Sequence, residues 1–128
     1  MDFYFPASNS EGAAFASALM TILFGLVLMF APRFSLRLLR LQTQPEYPEA
    51  VSESRATMAG FHIGVGLCAI LLAQPLLYLA LGAGWAFTAF GRIVSMMSDR
   101  GHTLFNWIAL IVEATLAVFP ILYATGLA

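Results

Sequence analysis

The chain consists of four long apolar stretches separated by shorter polar connections. The apolar stretches lie at about 12–31, 55–74, 75–97 and 103–127. Each is close to or above the roughly 20 residues that a helix needs to cross the ~30 Å hydrocarbon core of a bilayer. The pattern therefore predicts an all-α membrane protein, a four-helix transmembrane bundle that forms a single domain over residues 1–128.

Residues at the ends of these stretches are typical of helix boundaries. Ser8 and Glu11 have the spacing of a capping box ahead of the first span. Pro75 suits the first turn of the third span, which predicts a tight hairpin between the second and third spans. Pro120 lies inside the fourth span and predicts a kink there.

The only long connection, residues 32–54, has two parts. In the first part, about 33–41, apolar side chains occupy one helical face and arginines occupy another, which predicts a short interfacial amphipathic helix after the first span. The remainder, about 42–54, contains two prolines and three glutamates and predicts an exposed loop. We expect the arginine face to meet lipid headgroups, and it consists of Arg33, Arg37 and Arg40.

Charged residues make up 10% of the chain and hydrophobic residues 60%, against about 25% charged in soluble domains. There is no lysine, and the arginines lie in or near the two connections that follow the first and third spans. The positive-inside rule then places these connections in the cytoplasm and both termini outside. Because no basic residue precedes the first apolar stretch, we do not expect it to be a cleaved signal peptide. The basic residues are too few and too dispersed to favour nucleic-acid binding.

Polar residues within the apolar spans are the candidate chemistry, because a charge at the bilayer centre costs roughly 2.5 kcal/mol or more. Arg92 in the third span and Glu113 in the fourth are placed to form an ion pair, since side chains of antiparallel helices lean toward one another. We expect this pair either to fix helix register or to serve ligand binding or proton transfer. The other residues expected in this polar network are Thr88, Ser95, Asp99 and Asn106.

The second span contributes a histidine and a pair of glycines. His62 is either a hydrogen-bonded core residue or a ligand-binding residue. Gly60 and Gly64 have the spacing that permits close helix approach, which favours packing within the chain over a homodimer interface. His102 lies in a loop and is a poor partner for haem ligation, so no cofactor and no metal are expected. No catalytic motif is present.

Several of these motifs resemble a known family. They are Glu53-Ser-Arg55-Ala, the glycine-rich segment 60–66, Gly91-Arg92 with Ser95 and Asp99, and Glu113. Together they are similar to the small bacterial four-helix membrane proteins of the domain-of-unknown-function family numbered 4345. The resemblance covers the last three-fifths of the chain, and the first span only by hydropathy. It implies the four-helix fold and a bacterial inner (plasma) membrane, and it implies no activity.

Three functional hypotheses remain. The leading one is a non-enzymatic membrane protein, either an accessory subunit of a larger membrane complex or a bundle that binds lipid or a small ligand. One alternative is a small transporter or proton-coupled carrier that uses Arg92, Glu113 and His62. Another is a lipid-headgroup enzyme at the cytoplasmic face that uses Asp99 and His102. The expected partners are membrane lipids, a larger complex or a second copy of the chain.

Overall fold

The computed structural model describes residues 6–42 and 44–127, and the described chain contains helices and no strands. Four helical segments are long and apolar enough to cross a bilayer, namely Asn9–Phe30, Glu49–Leu72, Pro75–Ser98 and Leu104–Thr125. The predicted all-α fold with four spans is therefore confirmed. The individual helices are α1 (Asn9–Phe30), α2 (Pro32–Leu38), α3 (Glu49–Glu53), a π-helical turn (Ser54–Met58), α4 (Ala59–Leu72), α5 (Pro75–Ser98) and α6 (Leu104–Thr125).

The boundaries of α1, α5 and α6 agree with the predicted ones to within three residues. Ser8 caps α1 by accepting a hydrogen bond from the Glu11 N–H at 3.1 Å. The Glu11 carboxylate accepts from the Ala7 N–H at 3.0 Å and from the Tyr123 hydroxyl at 2.8 Å. The capping residues of the first span thus also hold the end of α6.

The connection between the first two spans differs from its prediction in length. Helix α2 ends at Leu38, and the following turn includes Arg40 in the left-handed region at φ 62°. The second span begins at Glu49 and continues through the π-helical turn into α4, so residues 49–54 are helical and not loop. Hydropathy missed these residues because they are polar. The position of α2 at a membrane surface stays a prediction.

The bundle is assembled from two close helix pairs, α1 with α4 and α5 with α6, which meet mainly through α1 and α6. A glycine lies at the contact between the two helices of each pair. A Cβ on Gly66 would come within 2.7 Å of the Ile22 side chain, and one on Gly82 within 2.5 Å of Ile121. Close approach of this kind is the main use of small residues in membrane helices.

Gly60 and Gly64 do not contribute to this packing. Both are exposed, and a Cβ at either position would meet no described atom within 4 Å. The expectation that they pack within the chain is therefore wrong, because they face away from α1 while Gly66 faces toward it. A homodimer contact at the pair stays a prediction.

The outer surface of the bundle carries large apolar side chains, including Phe61, Phe87 and Ile111, each more than 60% exposed. Cys68 is also on this surface. The charged residue Glu113, in contrast, is buried inside the bundle and only 6% exposed. Large apolar side chains on the outside and a charged side chain turned inward are expected of helices surrounded by lipid.

The two ends of the bundle differ in charge. The C-terminal ends of α1 and α5, the N-terminal end of α6 and all of α2 and α3 lie at the same end, because the four spans are joined as consecutive antiparallel neighbours. Five of the six arginines lie in or beside this end, and Arg92 lies within α5 near it. We call it the arginine end, and the opposite end carries the α4–α5 hairpin.

Candidate functional site

The predicted ion pair between α5 and α6 is present. Arg92 Nε donates to Glu113 Oε1 at 2.8 Å, and Nη2 donates to Oε2 at 2.7 Å. This is the bidentate geometry in which a guanidinium matches a carboxylate best. The Glu113 side chain is 8% exposed and the Arg92 side chain 22% exposed. Both carboxylate oxygens are engaged, so each buried charge is neutralised by its partner.

Asn106 extends this pair to the loop between α5 and α6. Its Oδ1 accepts from Arg92 Nη1 at 2.7 Å, and its Nδ2 donates to the Gly101 carbonyl at 2.9 Å. The backbone N–H of Asn106 in turn donates to Oγ1 of Thr103, which caps α6. The network therefore ties the start of α6 to the buried charge on α5.

The remaining predicted members of the network lie elsewhere. Thr88 is exposed and donates to the Gly84 carbonyl of its own helix at 2.8 Å. Ser95 is half-buried and makes no side-chain hydrogen bond to Arg92 or Glu113 within the described chain. Asp99 and His102 are exposed in and beside the α5–α6 loop. The expectation that Thr88 and Ser95 complete the hydrogen bonds of the pair is wrong: on α5 they share a helical stripe with Arg92 but do not point at Glu113.

A second interaction, at the mouth of the second span, was missed by the sequence analysis. Ser54 is fully buried and donates to the Leu28 carbonyl at 2.7 Å. Arg55 donates to the Met29 carbonyl at 2.9 Å. The Leu28 carbonyl lacks its usual helical donor because residue 32 is a proline. The Ser-Arg pair thus satisfies carbonyls left open at the end of α1. The sequence signal for this contact is the combination of Pro32, which follows the first apolar stretch and leaves a carbonyl without a donor, with polar residues at the start of the next span.

A third polar chain crosses the bundle core. Trp85 Nε1 donates to Thr21 Oγ1 at 2.9 Å, and the Thr21 hydroxyl donates to the Ser17 carbonyl at 2.8 Å. The Ser17 hydroxyl donates to the Leu116 carbonyl on α6 at 2.7 Å. This chain fixes Trp85 in the middle of α5. Uncharged polar residues of this kind give no sequence signal, since a hydroxyl can always bond to its own helix.

His62 lies beside this chain. Its Nδ1 is 2.6 Å from the Met58 carbonyl, one turn earlier in the second span. Its ring meets that of Trp85 edge to face, with centroids 5.4 Å apart. His62 is half-buried and borders a groove of about 210 Å³ between α4 and α5.

The arginine face forms a second recess at the arginine end. This recess has a volume of about 570 Å³, and it is lined by Arg33, Leu36, Arg37, Arg40, Leu41 and Gln42. We call it the arginine groove. The Arg40 guanidinium lies 5.1 Å from the centroid of the Phe105 ring, and that of Arg92 lies 6.0 Å from the same centroid. Phe105 thus connects the arginine groove to the buried ion pair.

Metal binding has no visible site in the part of the chain that the structure describes, since no three His, Cys, Asp or Glu side chains group there. The polar features are instead a bidentate ion pair, a half-buried histidine at the groove between α4 and α5, and an open arginine groove. Both carboxylate oxygens of the pair are engaged, whereas the histidine and the arginine groove have hydrogen-bonding groups left for another molecule.

Comparison with curated proteins and with solved structures gave no match. Comparison with protein families gave a match over residues 11–124, which extends the resemblance seen from residue 53 onward to the first span. The matched family carries the description domain of unknown function. By this match over nearly its whole length, the chain belongs to the family DUF4345.

Proposed function

We propose that this protein is a non-enzymatic membrane protein that binds the headgroup of an anionic lipid in its arginine groove. The observation that carries the proposal is the convergence of three exposed arginines, with the Gln42 amide, on one recess beside the end of the first span. Arginine is the side chain best suited to phosphate, because its planar guanidinium presents paired donors.

The chemistry of the lining supports a lipid over a soluble anion. None of the residues lining the groove carries a carboxylate, so the three positive charges are not cancelled locally. Leu36 and Leu41 line the same recess and supply an apolar wall of the kind that acyl chains contact. Each arginine near an anionic surface contributes about 1 kcal/mol, so the three together amount to roughly two orders of magnitude in affinity.

The buried ion pair supports a structural role over proton-coupled transport. A carrier carboxylate must be reached by water and must exchange protons during the transport cycle. Both oxygens of Glu113 are instead held by Arg92. The pair and Asn106 therefore serve to fix the register of α5 and α6, and the arginine groove is an open surface available for binding.

The test is gentle purification of the tagged protein from its native membrane, followed by mass spectrometry of the retained lipids and proteins. We expect an anionic lipid in stoichiometric amount. Changing Arg33, Arg37 and Arg40 to Gln removes three charges while keeping polar side chains, and should remove that lipid. The matched control is Arg100→Gln, which changes an exposed arginine at the same end outside the groove.

Two results contradict the proposal. Equal lipid retention by the triple variant and the parent means that the groove does not hold the headgroup. A stoichiometric protein partner without a specific lipid means that the chain is an accessory subunit. Binding to vesicles of phosphatidylglycerol in phosphatidylcholine, measured at rising salt, adds a second readout, since exposed charge interactions weaken with ionic strength.

A further inference from the structure

The groove beside His62 lies within the membrane-spanning part of the bundle, between α4 and α5, and is separate from the arginine groove. We call it the lateral groove. Phe61 and His62 border it on α4, Gly84 and Thr88 on α5, and Trp85 and Thr21 at its base. Phe61, Gly84 and Thr88 are exposed, so the groove is open toward lipid. His62 follows Arg55 by seven residues, which places it ~10 Å deeper along the span.

The hydrogen-bond donors around this groove are already used. Trp85 donates to Thr21, Thr21 donates to the Ser17 carbonyl, and Thr88 donates to the Gly84 carbonyl. Because a carbonyl oxygen can only accept, the proton of the neutral His62 imidazole lies on Nδ1, which donates to Met58. The hydrogen-bonding groups of the groove that are still available are therefore acceptors.

The open acceptor of greatest interest is Nε2 of His62. It has no hydrogen-bond partner among the described residues, and its ring is held by the Met58 carbonyl on one side and by Trp85 on the other. A fixed acceptor facing an apolar groove selects a ligand that brings its own donor. None of the described residues that line the groove is an acid, a lysine or an arginine, so a charged ligand would meet no counter-charge from them.

The size of the groove and the residues that line it further restrict the kind of ligand that can bind. Its volume of about 210 Å³ is below the ~300 Å³ typical of sites for drug-sized ligands, so it accommodates a single ring, with any tail left in the lipid. Three of its lining residues are aromatic, and aromatic rings pair favourably with one another. Gly84 provides space for a flat ring because it has no side chain.

From these observations we propose that the lateral groove binds a lipid-soluble quinol, whose hydroxyl donates a hydrogen bond to His62 Nε2 and whose ring lies against Trp85. A quinol combines the required features, namely neutrality, a hydroxyl donor, a single aromatic ring and an apolar tail. Ordinary diacyl lipids offer only acyl chains at this depth, and their ester oxygens nearer the surface accept and do not donate. The proposal is independent of lipid binding at the arginine groove.

The experiment uses Trp85 as its own reporter. The two tryptophans of the chain are Trp85 and Trp107, so Trp107→Phe leaves Trp85 at the groove as the single tryptophan, which is excited selectively over the tyrosines at the red edge of the absorption band. The purified protein in detergent is titrated with a decyl-substituted benzoquinol under reducing conditions, and then with the dimethyl ether of the same compound. The ether keeps the ring and the tail but has no donor. We expect saturable quenching by the quinol and about tenfold weaker binding of the ether, as for loss of one hydrogen bond.

Two variants locate the ligand. His62→Phe keeps an aromatic ring but removes the acceptor, and should weaken quinol binding about tenfold while leaving the affinity for the ether unchanged. Gly84→Leu fills the groove and should abolish quenching. Its matched control is Gly91→Leu on the same helix, since both glycines are exposed and have open space at the Cβ position.

Equal affinity of the quinol and its ether in the unmodified protein overturns the proposal, since the groove then takes any apolar chain. That comparison needs no mutation, so misfolding cannot produce it. Unchanged quenching in Gly84→Leu overturns it as well, because the ligand then lies elsewhere. A tenfold preference for the quinol that disappears in His62→Phe establishes the site.

Discussion

At the scale of single residues, the Arg92–Glu113 pair makes the strongest prediction about stability. Removing one partner leaves the other charge buried and uncompensated, which costs about 3 kcal/mol or more. Replacing both with Met removes both charges and should cost less than either single change. Unfolding of the purified protein by a denaturing detergent, followed by circular dichroism, measures the four free energies of the double-mutant cycle.

Thr88→Val is the matched control for this cycle, because Thr88 is on the same face of α5 but bonds only to its own helix. It should change the free energy of unfolding by less than 1 kcal/mol. If Arg92→Met alone is as well tolerated as the double variant, the carboxylate that it leaves behind is solvated in the folded state and the transporter hypothesis regains support.

Ser54 gives a second prediction at this scale. Ser54→Ala leaves the Leu28 carbonyl without a donor, since residue 32 is a proline, and an unsatisfied buried acceptor costs about 1–3 kcal/mol. The control is Ser52→Ala, which changes an exposed serine two residues earlier in the same span. A loss of stability in Ser54→Ala alone, in the same unfolding assay, is the expected result. Equal effects would mean that water reaches the end of α1.

Single residues also show which parts of the site sequence can predict. The pairing of Arg92 with Glu113 was predictable, because two charges in apolar segments have few other partners. The role of Asn106 followed, since it lies two turns from Glu113 on the same face. The Trp85–Thr21–Ser17 chain was not predictable, because each of these groups is tolerated singly in an apolar helix. Thr88 and Ser95 share a face of α5 with Arg92, but a shared helical face does not by itself imply a hydrogen bond to the ion pair.

At the scale of helices, packing depends on which face a glycine occupies. Gly66 is buried against α1, with Ile22 and the Ala18 carbonyl 2.7 and 3.0 Å from the position of a Cβ, whereas Gly64 faces open space. Gly66→Val should therefore destabilise the protein by about 1–3 kcal/mol through overpacking. Gly64→Val makes the same change in intrinsic helix propensity on the same helix. It should leave the stability of the monomer nearly unchanged in the unfolding assay.

The Gly64→Val variant also tests the predicted homodimer. If the exposed glycine pair joins two copies, this change should shift the protein from dimer to monomer in size-exclusion chromatography with light scattering. A monomeric parent protein would rule out that role. Equal destabilisation by the two valine variants would contradict the packing of α1 against α4.

Helix boundaries show the same division between what sequence can and cannot predict. Hydropathy located the apolar part of every span, and Ser8 and Pro75 located two helix starts. Hydropathy did not locate the start of the second span, because Glu49, Ser52 and Glu53 are polar although they are helical. Their helix continues directly into the π-helical turn and contacts α2, and the contact with α2 lies outside any local pattern. The prediction that Gly60 and Gly64 pack within the chain was wrong for a related reason. Their spacing shows that they share a helical face, but it does not show which helix, if any, that face contacts.

At the scale of the whole molecule, charge asymmetry predicts orientation. The arginine end carries α2 with the rest of the connection between the first two spans and the α5–α6 connection, and the opposite end carries the α4–α5 hairpin without any basic residue. Basic residues in short connections are retained on the cytoplasmic side. We therefore expect the arginine end to face the cytoplasm, where it also meets the anionic lipid that the arginine groove is proposed to bind.

Two glutamines allow a matched test of that orientation. Gln44 is exposed in the connection at the arginine end, and Gln74 is exposed in the hairpin at the other. In a Cys68→Ala background, Gln74→Cys should react with a membrane-impermeant maleimide in intact cells, while Gln44→Cys should react only after the membrane is opened. His102→Cys, in the second connection at the arginine end, should behave as Gln44→Cys does. The reverse pattern would place the three arginines outside and remove the cytoplasmic leaflet as the source of the lipid. Labelling of all three in intact cells would mean that the chain is inserted in both orientations, in which case six arginines are too few to fix its topology.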